Sequence, residues 1–149
     1  MFFNPMFNGD WPDIVKDRVA ERSKAEGLAS SRLPAFTPEE IEFIKGTSDY
    51  IAINHYTSMM VANGVEGTYS KTDYNFDTRA VTSNHPDWDE SFVGWALVPS
   101  GVRELLKHLK KAYGDAPVIF AETGLPDDGS SLEDDLRIQY FHGYFCNIL

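Results

Sequence analysis

The sequence predicts an α/β fold with parallel strands, too small to form a complete sheet by itself. Two short apolar segments, residues 50–53 and 117–121, each end in polar residues, and an amphipathic segment at 99–113 lies between them. A strand–helix–strand order implies parallel strands joined by a right-handed crossover. A two-stranded parallel sheet needs cover on both faces and both edges, so the chain is expected to be part of a larger α/β fold.

Two helices are predicted before the first strand. Asp10 is expected to cap the first, with Pro12 in its first turn and Gly27 as a left-handed stop. The second begins at Thr37 and Glu40, which form a capping box around a proline at the first helical position.

Residues 50–53 are apolar throughout, which predicts a strand buried on both faces, and 117–121 predict a second strand of the same kind. The polar stretch 57–94 between them is expected to be a long functional surface loop rather than a disordered insertion. The helix from Pro99 is expected to stop at Gly114. A capping box of Ser130 and Glu133 predicts the start of the last helix.

Composition excludes several classes of function. Net charge is −10 over 149 residues, which argues against a nucleic-acid partner because such binding depends on Lys and Arg. No stretch is long and apolar enough for a membrane span, and the first residues lack the basic and apolar segments of a signal peptide, so none is expected within this sequence. The single cysteine, Cys146, lies in an apolar run and is expected to be buried. The four histidines lack metal-ligand spacing and no nucleotide-binding glycine loop is present, so neither metal nor cofactor is expected.

Both predicted strands deliver polar side chains at their carboxyl ends. Asn54, His55 and Tyr56 follow the first strand, and Glu122 and Thr123 follow the second. The carboxyl ends of the strands form the catalytic face of an eight-stranded α/β barrel, so Asn54, Tyr56 and Glu122 could be neighbours in such a fold. Taken alone the pattern is unspecific. A glutamate after a strand is often a solvated turn residue, and core packing would explain the tyrosine and histidine.

Several motifs follow one another along the chain: Phe3-Asn4-Pro5 with Gly9–Pro12, Ser31–Thr37, Lys45–Tyr50, Ile53–Ser58, Trp95–Gly101 and Ile119–Gly124. In this order they make the sequence similar to family 1 of the glycoside hydrolases, the group of β-glucosidases, myrosinases and lactase-like enzymes, in its animal branch. The resemblance covers almost the whole chain, and it implies a partial catalytic domain over 1–149, with 57–94 on the active-site face.

The resemblance implies a (β/α)₈ barrel of which this chain holds strands six and seven with flanking helices. Glu122 would be the catalytic nucleophile of a retaining β-glycosidase, and Tyr56 would hydrogen-bond its carboxylate. Asn54 would shape the sugar site and Trp95 would form a wall for the leaving group. The family's Thr before the nucleophile is Ala121 here and its Asn after it is Thr123, which bears on rate more than on the reaction class.

The family's acid/base motif, its sugar-binding early strands and its eighth strand have no counterpart in the sequence. A β-glycoside is the expected substrate of the full-length protein. The chain alone is expected to be inactive, because retaining hydrolysis needs two carboxyl groups. Two alternatives stay open: a non-catalytic sugar-binding or interaction module, and half of a split barrel completed by another chain. Location follows only from the resemblance, which suggests a secreted, digestive or lysosomal protein.

Overall fold

The computed structural model describes residues 2–64 and 74–149, and the chain divides into two compact units. The first comprises Met1–Asp49 and Val61–Val81, and the second Tyr50–Met60 and Thr82–Leu149. In chain order the elements are α1 (Phe3–Asn8), α2 (Asp13–Ala25), α3 (Pro38–Ile44), β1 (Ile51–Asn54), β2 (Met60–Asn63), α4 (Tyr74–Thr78), β3 (Ala80–Ser83), α5 (Pro99–Tyr113), β4 (Val118–Glu122) and α6 (Asp135–Ile148).

The first unit confirms one helix start and corrects another. Thr37 caps α3 as predicted: its hydroxyl accepts the Glu40 amide at 3.2 Å, and the Glu40 carboxylate accepts the Thr37 amide at 2.8 Å. The prediction that Asp10 caps α2 was wrong, because Pro12 is the N-cap residue and no side chain caps the helix. The Asp10 carboxylate instead accepts the Trp11 amide and pairs with Lys16, each at 2.7 Å. These partners hold the pKa of Asp10 below its ordinary value.

The second unit confirms the predicted strand–helix–strand order. β1 and β4 pair in parallel, with Ile51 opposite Val118 and Asn54 opposite Glu122. Helices α5 and α6 pack together, and a buried cluster lies where they meet the chain that follows β4. The members of this cluster are Val102, Leu125, Tyr140 and Tyr144.

The prediction that both strands are buried on both faces was wrong. Ile51 is buried and Phe120 packs against the core cluster, but Ala52 is exposed and Ile119 is 48% exposed. Successive side chains of a strand point to opposite faces, so one face of this two-stranded sheet is covered and the other is open. In the described residues the sheet has no third strand and no closed barrel. Cys146, expected to be buried, is exposed.

The stretch 57–94 and the start of the last helix also differ from expectation. The polar stretch 57–94 contains β2, α4 and β3, of which β2 and β3 pair with each other, while residues 65–73 lie outside the described residues. Helix α6 begins at Asp135 without a side-chain cap, so Ser130 does not form the predicted capping box. The Glu133 amide donates to the nearer Ser131 hydroxyl at 3.0 Å, which makes a local turn before the helix.

Candidate active site at the carboxyl ends of the parallel strands

Tyr56 and Glu122 meet at the carboxyl ends of β1 and β4. The Tyr56 hydroxyl donates a hydrogen bond to Oε2 of Glu122, although 66 positions separate the two residues. The strand register produces this meeting. An irregularity after Ile53 places Asn54 opposite Glu122, and the His55 amide donates to the Glu122 carbonyl at 3.0 Å. The side chains that follow both strands are therefore brought to one edge of the sheet.

The contact with Glu122 changes the acidity of the phenol. The hydrogen bond to the carboxylate raises the pKa of Tyr56 above its ordinary value of 10.0, and partial desolvation and the negative charge of Glu122 act in the same direction. Ionising the phenol would remove the donated proton and place two negative charges side by side. Tyr56 therefore stays a neutral donor over the physiological pH range, and its proton remains directed at the carboxylate.

Trp95 extends this site with an aromatic surface. Its ring centroid lies 5.1 Å from that of Tyr56, at an interplanar angle of 45°. The half-buried indole also packs against the core cluster. Ser91, which is buried, fixes the backbone: its amide donates to the Trp95 carbonyl at 2.9 Å, and its hydroxyl accepts the Trp95 amide at 3.1 Å. The Thr57 hydroxyl also donates a hydrogen bond to the Ala96 carbonyl at 2.7 Å.

His55 faces the covered side of the sheet and does not join the site. Its side chain is buried, with its ring edge-on to Phe120 at 6.5 Å and tilted against Tyr144 at 5.7 Å. Burial lowers the pKa of His55 below its ordinary value of 6.5, because desolvation disfavours the charged imidazolium. The packing interpretation therefore holds for this histidine.

Two tyrosines of α6 hydrogen-bond to the chain at the carboxyl ends of β1 and β4. The Tyr140 hydroxyl lies 3.0 Å from the Tyr56 carbonyl and 2.9 Å from the Thr123 hydroxyl. The Tyr144 hydroxyl lies 3.3 Å from the same Tyr56 carbonyl. Sequence reasoning did not find these residues. Their spacing of four along a helix is the only local signal, and it is equally typical of ordinary core packing.

Within the described residues, no three His, Cys, Asp or Glu side chains gather into a group that could hold a metal ion. The helices described there include none that is both long enough and apolar enough to cross a membrane.

Comparison with known proteins identifies the family. The sequence model of the family described as glycosyl hydrolase family 1 matches residues 1–149, the whole chain. The chain belongs to glycosyl hydrolase family 1. Myrosinase 1 of Brevicoryne brassicae is 39% identical over 96% of the chain, and the human cytosolic beta-glucosidase is 36% identical over 97%. A solved structure of an aphid myrosinase covers 99% of the chain with a TM-score of 0.83 and 38% identity.

This family 1 chain spans a minor part of its relatives. It covers 30% of the length of the Brevicoryne brassicae myrosinase, 31% of the human cytosolic beta-glucosidase and 31% of the solved aphid myrosinase chain. The fold matches that portion, and the open face of the β1–β4 sheet is consistent with a part of a larger structure. Of the predicted site residues, Tyr56, Glu122 and Trp95 form one contact series, and Asn54 is paired with Glu122 in the sheet.

Proposed function

We propose that this chain is the nucleophile-bearing part of a retaining β-glycosidase, with Glu122 as the nucleophile. One observation carries the proposal: the Tyr56 hydroxyl donates to the Glu122 carboxylate at the carboxyl ends of two parallel strands. That edge is where α/β barrels carry their catalytic groups. The names of the relatives, a myrosinase and a beta-glucosidase, support the same reaction class.

In the proposed reaction, a Glu122 carboxylate oxygen attacks the anomeric carbon of a β-glycoside. A bond forms between that oxygen and the carbon, while the bond from the carbon to the leaving-group oxygen breaks. The leaving oxygen takes a proton from an acid group, and water later hydrolyses the glycosyl-enzyme ester with that group acting as base. Tyr56 orients the carboxylate throughout, because a neutral donor at a fixed position restricts its rotation.

We further propose that β1 and β4 are the sixth and seventh strands of an eight-stranded barrel. The exposed Ala52 and the 48% exposed Ile119 support this, because they form an uncovered strand face that the side chains of the other strands would bury inside a closed barrel. The sequence contains no Asn-Glu-Pro segment of the kind that carries the family's acid/base. On this proposal the acid/base comes from outside the chain, and the isolated 149 residues do not turn over substrate.

Trp95 and Asn54 complete the proposed site. The indole lies against Tyr56 and offers an apolar face of the kind that packs on the C–H groups of sugars and aryl aglycones. Asn54, exposed at the end of β1 and paired with Glu122, supplies an amide that can hydrogen-bond a sugar hydroxyl. Of the stretch 57–94, residues 57–60 and 82–94 belong to the same unit as these two side chains and are proposed to border the leaving-group side of the site, whereas 65–73 lie outside the described residues.

The first experiment compares the isolated chain with its Glu122→Gln variant on an aryl β-glucoside. We expect no turnover above the variant. Turnover that Glu122→Gln abolishes would show that an acid/base is present, supplied either by a group of this chain or by a co-purifying partner, and the partner is the split-barrel alternative. Co-purification with a second chain distinguishes these two sources.

The second experiment supplies the remaining strands. A chimera places the 149 residues in the matching segment of the human cytosolic beta-glucosidase, of which they cover 31%. We expect the chimera to hydrolyse the aryl glucoside and Glu122→Gln to reduce the rate by about 10⁴- to 10⁶-fold, the range seen when single members of a catalytic triad are removed. Glu133→Gln, which changes an exposed glutamate before α6, is the matched control and should retain activity.

A nucleophile assignment has a more specific test in the same chimera. Glu122→Ala leaves space for a small anion, so added azide should restore cleavage of a substrate with a good leaving group and form a glycosyl azide of inverted configuration. A folded, substrate-binding chimera whose Glu122→Ala activity equals that of the parent would exclude Glu122 as the nucleophile.

A further inference from the structure

The Tyr140 hydroxyl lies where the two strand ends come together. Tyr140 is fully buried on α6, with an exposed fraction of 0%. Its hydroxyl oxygen is 3.0 Å from the Tyr56 carbonyl on the β1 side. On the β4 side it is 2.9 Å from the Thr123 hydroxyl and 3.2 Å from the Gly124 amide. One oxygen atom therefore contacts the chain at Tyr56 and the chain directly after Glu122.

These contacts match the hydrogen-bonding capacity of a phenol. The hydroxyl has one proton to donate and can accept from other groups. The Gly124 amide can only donate, and a carbonyl can only accept. The consistent assignment is that Tyr140 donates to the Tyr56 carbonyl and accepts from both the Gly124 amide and the Thr123 hydroxyl. This arrangement holds both backbone segments through one side chain.

The Tyr140 ring has little freedom to follow a displaced strand. It stacks on Tyr144 with centroids 4.0 Å apart and an interplanar angle of 19°, and Phe141 packs edge-on at 5.4 Å. Tyr144 reinforces the same point, since its hydroxyl lies 3.3 Å from the Tyr56 carbonyl and accepts the Val98 amide at 3.4 Å. Helix α6 therefore presents a rigid pair of phenols to the chain that carries Tyr56.

We propose that Tyr140 is a positioning residue that sets the distance between Tyr56 and Glu122 by bridging the backbone at Tyr56 to the backbone after Glu122. The proposal deepens the assigned role of this pair, and its catalytic consequence rests on the proposed function. Tyr140 acts only through Tyr56 and the segment after Glu122, so it is not a catalytic residue.

The test uses the intact 149-residue chain and the titration of Tyr56. The chain has seven tyrosines, so the Tyr56 signal is assigned in ¹³Cζ-tyrosine NMR spectra by its loss in Tyr56→Phe. Contact with Glu122 is the largest cause that raises the pKa of Tyr56, and the charge of the neighbouring Tyr140 phenol adds to it directly, so Tyr140→Phe is also made in the Glu122→Gln background. The bridge predicts a larger fall of the Tyr56 pKa in the parent than in that background, and equal falls would show a direct charge effect without positioning. We expect Tyr140→Phe, which keeps the buried ring, to lower the Tyr56 pKa toward its ordinary value. Tyr113→Phe, the same change on α5, should leave it unaltered.

A Tyr56 pKa in Tyr140→Phe equal to that in the parent would overturn the positioning role. If Tyr140→Phe fails to fold, Thr123→Val keeps both phenols, removes one bridging hydroxyl and should lower the Tyr56 pKa in the same direction; an unchanged pKa there would equally refute the bridge. Glu122→Gln separates the bridge made by Tyr140 from the Tyr56–Glu122 contact itself. If the Tyr56 pKa falls in Glu122→Gln but not in Tyr140→Phe, the Tyr56–Glu122 contact is supported and the bridging role of Tyr140 is rejected.

In the active chimera, Tyr140→Phe is expected to reduce kcat by about 10- to 100-fold with little change in KM, because a small misplacement of the reacting group costs rate rather than ground-state binding. A rise in KM at constant kcat would contradict positioning of the nucleophile. Failure of the Glu122→Ala azide test with a lowered Tyr56 pKa in Tyr140→Phe would leave the bridge standing and reject the assigned reaction.

Discussion

Gly101 is expected to be a site where a better helix former destabilises the protein. It lies in the first turn of α5, where alanine would be favoured over glycine by about 1 kcal/mol on helix propensity. A Cβ added there would lie 2.8 Å from the Cβ of Ser58 and would overlap the Ser58 hydroxyl. The hydroxyl can rotate away, but the Ser58 Cβ moves only with its backbone.

The packing cost should exceed the propensity gain. Overpacking a tight contact costs about 1–3 kcal/mol, so Gly101→Ala is expected to destabilise the chain by about 1 kcal/mol after the propensity gain is subtracted. Ser58 lies two residues after Tyr56, so the same displacement should disturb the Tyr56–Glu122 contact. Urea unfolding followed by circular dichroism measures the first effect, and the Tyr56 titration measures the second.

A double-mutant cycle isolates the cause. Ser58→Gly removes both atoms that Gly101→Ala would meet, so in that background the alanine should stabilise by up to about 1 kcal/mol. The expected coupling between positions 58 and 101 is therefore about 2 kcal/mol. Equal effects of Gly101→Ala in the two backgrounds, or stabilisation in the parent, would refute the argument that this contact decides the sign.

Three further predictions concern stability. Thr37→Ala breaks the capping box with Glu40 and should lower the free energy of unfolding, measured in urea, by about 1 kcal/mol. An unchanged free energy of unfolding would contradict the cap. Val102→Ala removes two methyl groups from a side chain with 0% exposure, which should lower the free energy of unfolding by about 2–3 kcal/mol. Val61→Ala, at a side chain with 65% exposure, should change it by no more than about 0.5 kcal/mol. Because burial lowers the pKa of His55 below 6.5, the unfolded chain binds more protons just below that pH, so stability should fall as the pH decreases through 6.5. His55→Gln should flatten that part of the stability–pH curve, and an unchanged slope would contradict the assignment.

Local signals in the sequence predicted the elements whose energy is local. The capping box of Thr37 and Glu40 involves groups three residues apart, and the helix from Pro99 to Tyr113 follows a continuous amphipathic pattern with a glycine stop. Both were confirmed. The failures, Asp10 and Ser130, had similar cap signals, but other partners compete for these groups: Asp10 accepts the Trp11 amide and pairs with Lys16, and Ser131 takes the Glu133 amide.

Burial was predicted less well than strand position. Apolar runs at 50–53 and 117–121 predicted strands covered on both faces, whereas only one face is covered. An apolar strand shows that its residues suit burial, but the covering atoms come from distant parts of a fold. The open face at Ala52 and Ile119 is consistent with a chain that spans 30% of the length of the Brevicoryne brassicae myrosinase.

The sequence by itself determined the family, the parallel strand order and the polar residues at the strand ends, because motifs, period and turn residues are written locally along the chain. Only the tertiary structure decided which of those residues meet. It joined Tyr56 to Glu122, turned His55 toward the core and placed the buried Tyr140 between the two strand ends. Such contacts depend on register and on the packing of α6 from 84 positions away, and no local pattern encodes that distance.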